Sequence, residues 1–208
     1  MRLKSSKIIF YIFACKQNID RKRAILSTWL KDRPCQYYFV YGKDDYEAEN
    51  DDIVFDCPES YMSLYLKTYR MLEHASKLDV DYIFKCDDDS YVDVKRLLNC
   101  ESVCDYEGNV VSSSMPSYTY HVDKYDDCEN AVYCKHKSEY PFACGGGYLL
   151  SKKCIVKLLE TTTYGELCKL QLTKYKDGVI WPAWPGGPSA EDRMIGYLAK
   201  DIDINIKN

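Results

Sequence analysis

The amino-acid sequence predicts an α/β fold in which helices flank a mostly parallel central sheet. Two observations support this prediction. Short buried-strand patterns alternate with helical patterns along the first half of the chain, and 208 residues are enough to bury one sizeable core. We therefore expect one domain over residues 1–208, built from two halves at about 1–111 and about 112–208. Ligands bind such sheets beyond the carboxyl ends of the strands.

Five short runs of β-branched or aromatic residues are bounded by polar residues, as is typical of buried strands. These runs are residues 8–14, 37–41, 53–55, 82–84 and 110–111. Between them, apolar residues recur at helical spacing over residues 23–30, 64–78 and 94–98. The second half continues with a polar, tyrosine-rich stretch to residue 140, a glycine cluster, a helix near 152–161 and an aromatic loop over 181–188.

Composition excludes several classes of protein. A net charge of −4 and a pI near 5.5 argue against nucleic acid as a partner, because basic side chains dominate binding to phosphate backbones. No segment approaches the ~20 apolar residues that span a bilayer. The basic and apolar residues 2–15 lack the small-residue cleavage site of a secretory signal and lead into charged residues. We expect a cytoplasmic protein, with the Golgi or ER lumen as the alternative if an anchor has been removed.

Eleven cysteines are an unusually high count for a chain of this length. Without an export signal, we expect reduced thiols that act mostly as small buried hydrophobic side chains. Cys86 belongs to the strand pattern before an acidic motif, and we expect it to be buried and chemically inert.

The sharpest motif is an apolar strand pattern that ends in three consecutive carboxylates, Asp87, Asp88 and Asp89. Three like charges repel one another unless a divalent cation or solvent absorbs the charge, and oxygen ligands at a strand end suit Mg²⁺ or Mn²⁺. Such a metal can bridge a diphosphate and neutralise the charge that develops when the diphosphate leaves. The alternative is an acidic turn that caps the following helix.

A second acidic motif, Glu191 and Asp192, opens a predicted helix. Either carboxylate can act as a general base that removes a proton from a hydroxyl group. The alternative is that both charges only interact favourably with the helix N-terminus. Trp181 and Trp184, in the loop before this motif, can stack on a sugar ring or pack against protein.

The remaining candidates are weaker. A glycine cluster that includes Gly146 and Gly147 allows the backbone to approach a ligand closely, or forms a tight turn before a strand. Four basic residues can contact phosphates, although most lysines and arginines are solvated surface charges. They are Arg21, Lys22, Arg23 and Lys67.

Taken in order, five segments resemble motifs of the β-1,3-glycosyltransferase family, which includes β-1,3-galactosyltransferases, N-acetylglucosaminyltransferases and fringe. Residues 21–29 are similar to R-R-x-x-I-R-x-T-W, residues 59–68 to D-S-Y-x-N-L-T-L-K-T, and the strand into residues 87–89 to the metal motif. Residues 140–151 are similar to Y-P-x-x-C-x-G-x-G-Y-x-L-S, and residues 191–196 to E-D-V-x-x-G. The resemblance extends over nearly the whole chain, from about residue 7 to residue 197.

This resemblance implies a GT-A fold, a UDP-sugar donor, inversion at the anomeric carbon, and Mn²⁺ as cofactor, with Mg²⁺ as the alternative. The first half would bind the nucleotide sugar, and the second half a glycan or glycoprotein acceptor. Asp89 would be the principal metal ligand, Asp87 would face the donor and assist with the metal, and Asp192 would be the base with Glu191 in reserve. Donor contacts would come from Arg21, Arg23, Lys67, Asp87, Asp88, Gly146 and Gly147, and acceptor contacts from Trp181 and Trp184.

The sequence departs from the family motifs at Leu26, Glu59 and Ser63, where relatives carry arginine, aspartate and asparagine, so we expect an altered donor pocket. No histidine follows Asp192 to match a late metal ligand of relatives, so diphosphate and water would complete the metal site around Asp89. Two other functions compete with sugar transfer. One is a carbohydrate-binding protein on a degenerate transferase fold, and the other is a metal-dependent phosphotransferase or nuclease.

Overall fold

The computed structural model describes residues 3, 6–43, 47–101, 104–111, 116–117, 136–137, 140–169, 171–174, 180–184, 187–188 and 191–207. Twelve strands occur in this part of the chain. They are β1 Ile8–Phe13, β2 Gln36–Lys43, β3 Asp52–Pro58, β4 Tyr82–Asp87, β5 Tyr106–Val111, β6 Pro116–Ser117, β7 His136–Lys137, β8 Phe142–Ser151, β9 Gln171–Lys174, β10 Ile180–Trp184, β11 Gly187–Pro188 and β12 Ile206–Lys207. The helices are α1 Ile19–Ser27, α2 Leu64–Ser76, α3 Val94–Asn99, α4 Lys152–Thr161, α5 Tyr164–Leu167 and α6 Glu191–Ala199.

Seven of these strands form the central sheet, in the order β12-β5-β8-β4-β1-β2-β3. β1 lies parallel to both β2 and β4, β2 lies parallel to β3, and β12 lies parallel to β5. β8 runs antiparallel to its two neighbours, β4 and β5. The prediction of an α/β fold with a mostly parallel sheet flanked by helices is confirmed.

Alternation along β1 shows how the sheet is covered on both faces. Ile9, Tyr11 and Phe13 belong to one hydrophobic cluster, and the intervening residues, such as Phe10 and Ile12, belong to another. The first cluster includes buried residues of α2, α4 and α6, and the second includes buried residues of α1 and α3. Because successive side chains of a strand point to opposite faces, a strand covered on both faces is apolar throughout, and β1 is buried along its whole length.

The helices have identifiable ends. Asp93 accepts a hydrogen bond from the backbone N–H of Arg96 at the start of α3, and Ser151 accepts one from Cys154 at the start of α4. At the other end of α2, the Lys152 ammonium donates to the carbonyls of Ala75, Ser76 and Leu78 at 3.0, 2.7 and 2.6 Å. This lysine adds a charged donor to carbonyls at the C-terminal end of the helix, where i→i+4 partners run out.

Two local expectations about the second half were wrong. Residues 180–184 and 187–188 form strands β10 and β11 instead of a continuous loop, because they pair with each other and with β9. The glycine cluster is not a turn before a strand, since Gly145, Gly146 and Gly147 lie within β8 itself. Most of the polar stretch predicted over residues 112–140 lies outside the described residues.

Two further expectations concern cysteines and membranes. The nine cysteines in the described part of the chain are free thiols, and Cys57, Cys86, Cys104 and Cys154 are buried. Cys86 is fully buried, as expected, and burial raises the pKa of its thiol, which disfavours the reactive thiolate. Within the described residues, no helix has both the length and the apolar character that crossing a membrane requires.

Candidate functional site

A cavity of about 420 Å³ lies at the carboxyl ends of β1 and β4. Three chain segments line it: residues 13–18 at the end of β1, residues 59–61 after β3, and residues 87–89 at the end of β4. Arg21 of α1, with Leu64 and Lys67 of α2, completes the lining. The sheet therefore brings the acidic triplet to a concave site of a volume that suits a small ligand.

Hydrogen bonds within the turn and to the neighbouring strands β1 and β8 fix the backbone of the triplet. The N–H of Asp88 donates to the carbonyl of Phe13 at 3.0 Å, and the N–H of Ser90 donates to the carbonyl of Asp87 at 3.2 Å. The Ser90 hydroxyl donates to the carbonyl of Gly146 in β8 at 2.8 Å. The triplet is thus a tight turn whose backbone is anchored by hydrogen bonds to β1 and β8.

The three carboxylates have different surroundings. The exposed fractions of the Asp87, Asp88 and Asp89 side chains are 39%, 7% and 65%. Asp88 accepts a hydrogen bond from Arg21 at 2.7 Å, and the same guanidinium lies 3.6 Å from Asp89. Burial raises the pKa of Asp88, and the Arg21 hydrogen bond opposes the rise. Asp87 and Asp89 are therefore the accessible members, and Asp88 is engaged by Arg21.

The described residues contain no ready-made group of three protein ligands for a metal ion. The cavity offers the accessible carboxylates of Asp87 and Asp89. Mg²⁺-type sites commonly use one or two carboxylates and complete the octahedron with phosphate oxygens and water. The donor set thus fits a divalent cation that binds together with a diphosphate, and does not form a closed structural site.

Lys85 connects the triplet to the second acidic motif. This lysine lies on β4 two residues before Asp87, and its side chain is 1% exposed. Its ammonium donates to Asp87 Oδ1 at 2.7 Å, to the carbonyl of Gly145 at 2.9 Å, and to Glu191 Oε1. Burial opposes the charge on Lys85, but the carboxylates of Glu191 and Asp87 outweigh burial and raise its pKa. Lys85 therefore remains a cation between two carboxylates.

Glu191, the first residue of α6, is buried within this cluster. Its Oε2 accepts hydrogen bonds from the Tyr148 hydroxyl at 2.9 Å and from the Thr68 hydroxyl at 3.4 Å. Burial raises the pKa of Glu191 to about 7, while Lys85 opposes the rise. With both oxygens occupied by protein donors, Glu191 has little freedom to meet a ligand.

Asp192 differs from its neighbour, because it is half-buried and Glu191 is buried. One oxygen accepts the backbone N–H of Arg193 at 2.8 Å. Burial raises the pKa of Asp192, the Arg193 hydrogen bond and charge oppose the rise, and the charges of Lys85 and Asp87 also act on it. A raised pKa makes Asp192 a stronger base than an exposed aspartate.

The basic candidates separate along α1 because successive helical residues point about 100° apart. Arg21 lines the cavity. Lys22 is buried and pairs with Asp52 and Glu49 at 2.7 and 2.6 Å, away from the triplet. Arg23 is exposed and pairs with Asp20 outside the cavity lining. The structure thus brings only Arg21 of these three to the acidic triplet, and a donor contact from Arg23 stays a prediction.

Lys67 lines the cavity, but its charge is already neutralised. Its ammonium donates to the two Glu59 oxygens at 2.6 and 2.8 Å and to the carbonyl of Ala14 at 3.2 Å, and the side chain is 1% exposed. Glu59 also accepts the backbone N–H of Gly42. A direct phosphate contact from Lys67 would have to compete with this pair, so its donor role stays a prediction.

The three glycines of β8 have different surroundings. A Cβ on Gly145 would lie 2.7 Å from Glu191 Oε1, and a Cβ on Gly147 would lie 3.0 Å from the Phe84 ring. A Cβ on exposed Gly146 would meet only Ser90 Oγ, at 3.9 Å. Gly146 and Gly147 lie beside the triplet and not in the cavity lining. Their donor contacts stay predictions, and only Gly145 is required by the buried cluster.

Sequence reasoning missed Lys85, and it included Gly145 and Tyr148 in the glycine-rich segment without giving either a role of its own. A lysine inside an apolar strand pattern was the available signal for Lys85, because a buried lysine requires partners. No comparable local signal marks Tyr148. Trp181 and Trp184 lie on β10, where only the backbone is described, so the side chains predicted to meet the acceptor lie outside the description.

Comparison with known proteins supports one family. No curated protein matches the chain at a significant level. A solved structure of a glycosyltransferase involved in the glycosylation of the major capsid of PBCV-1 matches at 10% identity with a TM-score of 0.37. The match covers 72% of this chain and 61% of the solved glycosyltransferase. This chain therefore spans about three fifths of the length of that protein. The family model described as Galactosyltransferase matches residues 20–171, which include the acidic triplet, the β8 glycines and the part of the cavity lining that follows residue 20. The chain therefore belongs to the Galactosyltransferase family.

Proposed function

We propose that the protein transfers a sugar from a UDP-sugar donor to a hydroxyl group of a glycan acceptor, with inversion at the anomeric carbon and with a divalent metal ion. One observation carries the proposal. The accessible carboxylates of Asp87 and Asp89 lie at a ligand-sized cavity, and Lys85 connects this motif to the start of α6, where Asp192 lies. Membership of the family supports the same chemistry.

The donor half of the proposal rests on the cavity. Asp87 and Asp89 would hold Mn²⁺ or Mg²⁺ together with the diphosphate, and the bound cation would supply the positive charge that favours departure of UDP. Arg21 holds Asp88 through a 2.7 Å hydrogen bond and so keeps that carboxylate from competing for the cation. This division of roles agrees with an acidic site that must accept an anionic ligand.

The acceptor half rests on Asp192. Its carboxylate takes the proton from the acceptor hydroxyl while that oxygen forms a bond to the anomeric carbon and the bond from this carbon to the diphosphate oxygen breaks. Attack opposite the leaving group inverts the configuration, and the transition state has oxocarbenium character as in glycoside hydrolysis. Burial raises the pKa of Asp192, which strengthens it as a base.

A panel of UDP-sugars tests the proposal, beginning with UDP-galactose because of the family. Release of UDP should require both Mn²⁺ or Mg²⁺ and a glycan acceptor, and it should stop in chelator. Inversion is read from the anomeric configuration of the product by NMR. Binding of nucleotide sugars without turnover would instead identify a carbohydrate-binding protein, and the absence of both binding and turnover would refute the proposal.

A further inference from the structure

The three acceptors to which Lys85 donates hydrogen bonds belong to three different elements. Asp87 belongs to β4, Gly145 to β8 and Glu191 to α6, and these elements carry the acidic triplet, the glycine cluster and the predicted base. A lysine ammonium has three N–H donors, so these three acceptors use its full capacity. A single buried cation thus joins every acidic segment to which the proposed function assigns a role.

The surroundings of Lys85 leave it little freedom. The rings of Phe13 and Tyr148 lie 4.8 and 5.5 Å from its ammonium, and the side chain is 1% exposed. Glu191, its partner on α6, is held from the other side by Tyr148 and Thr68. A cation fixed in this way fixes its acceptors in turn, because breaking one contact would leave a buried charge without a partner.

We propose that Lys85 is a positioning residue that holds Asp87 on the donor side and Glu191 on the acceptor side in one fixed arrangement. Glu191 precedes Asp192 directly, so the lysine sets the position of the base relative to the donor ligand without touching substrate. The inference rests on the proposed function, which assigns no role to Lys85. It also gives Glu191 the role of an anchor for α6 and leaves proton transfer to Asp192.

Another buried lysine provides a matched control. Lys22 is 4% exposed and pairs with Asp52 and Glu49, so its replacement also leaves a buried carboxylate without its cation. Lys22 lies outside the cavity lining, and its ion pairs with Asp52 and Glu49 involve neither acidic motif. Lys22→Met and Lys85→Met should therefore both destabilise the protein, whereas only Lys85→Met should disturb the site.

The first measurement is kinetic, on the UDP-sugar that the wild type turns over, and at a temperature at which all variants are folded. Lys85→Met should lower kcat by about 10²-fold, since small displacements of catalytic groups have effects of this size. It should also weaken binding of UDP in Mn²⁺, because Asp87 loses its fixed orientation. Lys22→Met should change neither quantity more than twofold. Lys85→Arg keeps the charge but presents a planar fork, and it should remain impaired.

A double-variant cycle tests the coupling. If Lys85 acts through Glu191, Lys85→Met combined with Glu191→Gln should lower kcat no further than Lys85→Met alone. Additive losses would show that the two residues act independently and would overturn the proposal. Full activity in Lys85→Arg would overturn it as well, because charge alone would then suffice.

Hydrogen exchange gives a readout that needs no activity. Lys85→Met should accelerate amide exchange selectively in residues 191–199 and 142–147, whereas a merely structural lysine would accelerate exchange evenly across the sheet. If wild type turns over no UDP-sugar, the proposed function fails, and exchange still decides whether Lys85 fixes α6 and β8. Unchanged exchange in both segments refutes the positioning role in either case.

Discussion

Neighbouring carboxylates in this protein have unequal surroundings although they are chemically alike in the sequence. Asp88 is held by Arg21, while Asp87 and Asp89 remain accessible. Glu191 is fully enclosed by donors, while Asp192 is half-buried. At the scale of single residues, these unequal surroundings are the basis on which we propose separate roles in metal binding, anchoring and proton transfer.

Replacing Asp192 with asparagine removes the proposed base and keeps its shape. The value of kcat should fall by about 10² to 10⁴-fold, the usual contribution of a general base, while the affinity for UDP stays nearly unchanged. Glu191→Gln should cost less, because the amide oxygen can still accept from Lys85. Steady-state kinetics with UDP affinity measured alongside checks both; near wild-type turnover by Asp192→Asn would move the base elsewhere.

The pH profile follows from the same residue. Burial raises the pKa of Asp192 above the value of an exposed aspartate, and only the ionised carboxylate accepts a proton. Activity should therefore be retained at high pH and lost as the pH falls through this raised pKa. The acid limb of kcat should lie above pH ~4, the range of unperturbed aspartate. An unshifted acid limb would contradict the burial that the structure assigns to Asp192.

Glycines 145 and 146 offer a paired test of packing. A methyl group on Gly145 would collide with Glu191 at 2.7 Å, whereas one on Gly146 would have open space. Gly145→Ala should lower the free energy of unfolding by about 1–3 kcal/mol and reduce kcat, as forced overpacking does. Gly146→Ala should fold with wild-type stability. Chemical denaturation compares the two, and equal stabilities would contradict the tight fit of Gly145.

At the scale of elements, the chain secures its helices with side chains distant in sequence. Lys152 begins α4, yet its ammonium binds three carbonyls at the end of α2, so one side chain joins two helices on the same face of the sheet. The next residue, Lys153, is more exposed and pairs with Asp105. The two adjacent lysines thus differ in their exposure and in their partners, as the adjacent carboxylates do.

Lys152→Met should destabilise the protein because the three carbonyls lose a charged donor. Hydrogen bonds to charged groups contribute about 1.5–3 kcal/mol, so a loss of this order is expected in the free energy of unfolding. Lys153→Met should have little effect, since exposed ion pairs are weak. Urea denaturation of both variants is the measurement, and similar losses would show that the contacts to α2 do not stabilise it.

Local sequence patterns predicted most elements, because they depend on neighbouring residues. The helical pattern over residues 64–78 corresponds to α2 at Leu64–Ser76, and the strand pattern over 8–14 to β1 at Ile8–Phe13. The antiparallel direction of β8 could not be predicted locally. Nor could the partners of Lys85, which are 60 residues away at Gly145 and 106 residues away at Glu191. Motif patterns identified the acidic residues, whereas only the fold shows how they are joined.

At the scale of the whole molecule, the proposed function requires an acidic protein to bind an anionic donor. The net charge is −4, and three aspartates lie at the cavity. Among the basic residues that line this cavity, Arg21 and Lys67 are already engaged by carboxylates. Repulsion between diphosphate and carboxylates therefore has to be overcome by a bound cation.

Binding of UDP should consequently depend on a divalent metal. Calorimetry should show binding in Mn²⁺ and little or none in chelator, and Asp89→Ala should abolish the difference because the more exposed of the two accessible carboxylates is lost. Asp88→Asn serves as a comparison. Because the Asp88 carboxylate is engaged by Arg21, this substitution should change the metal dependence less than Asp89→Ala does. Equal affinity for UDP in chelator and in Mn²⁺ would refute the metal bridge.

The position of β8 has a consequence for biosynthesis. This strand lies between β4 and β5, so within the described sheet β5 has no partner that precedes it in the chain. On the ribosome, the edges of β4 and β5 stay open until residues 142–151 emerge. Glu191 is 106 residues beyond Lys85, so it is synthesised roughly 5–20 s after the lysine at ordinary rates of translation. The N-terminal part can collapse earlier, but Lys85 lacks its partner on α6 until that helix is synthesised. The cluster around Lys85 is therefore among the last parts of the molecule to form.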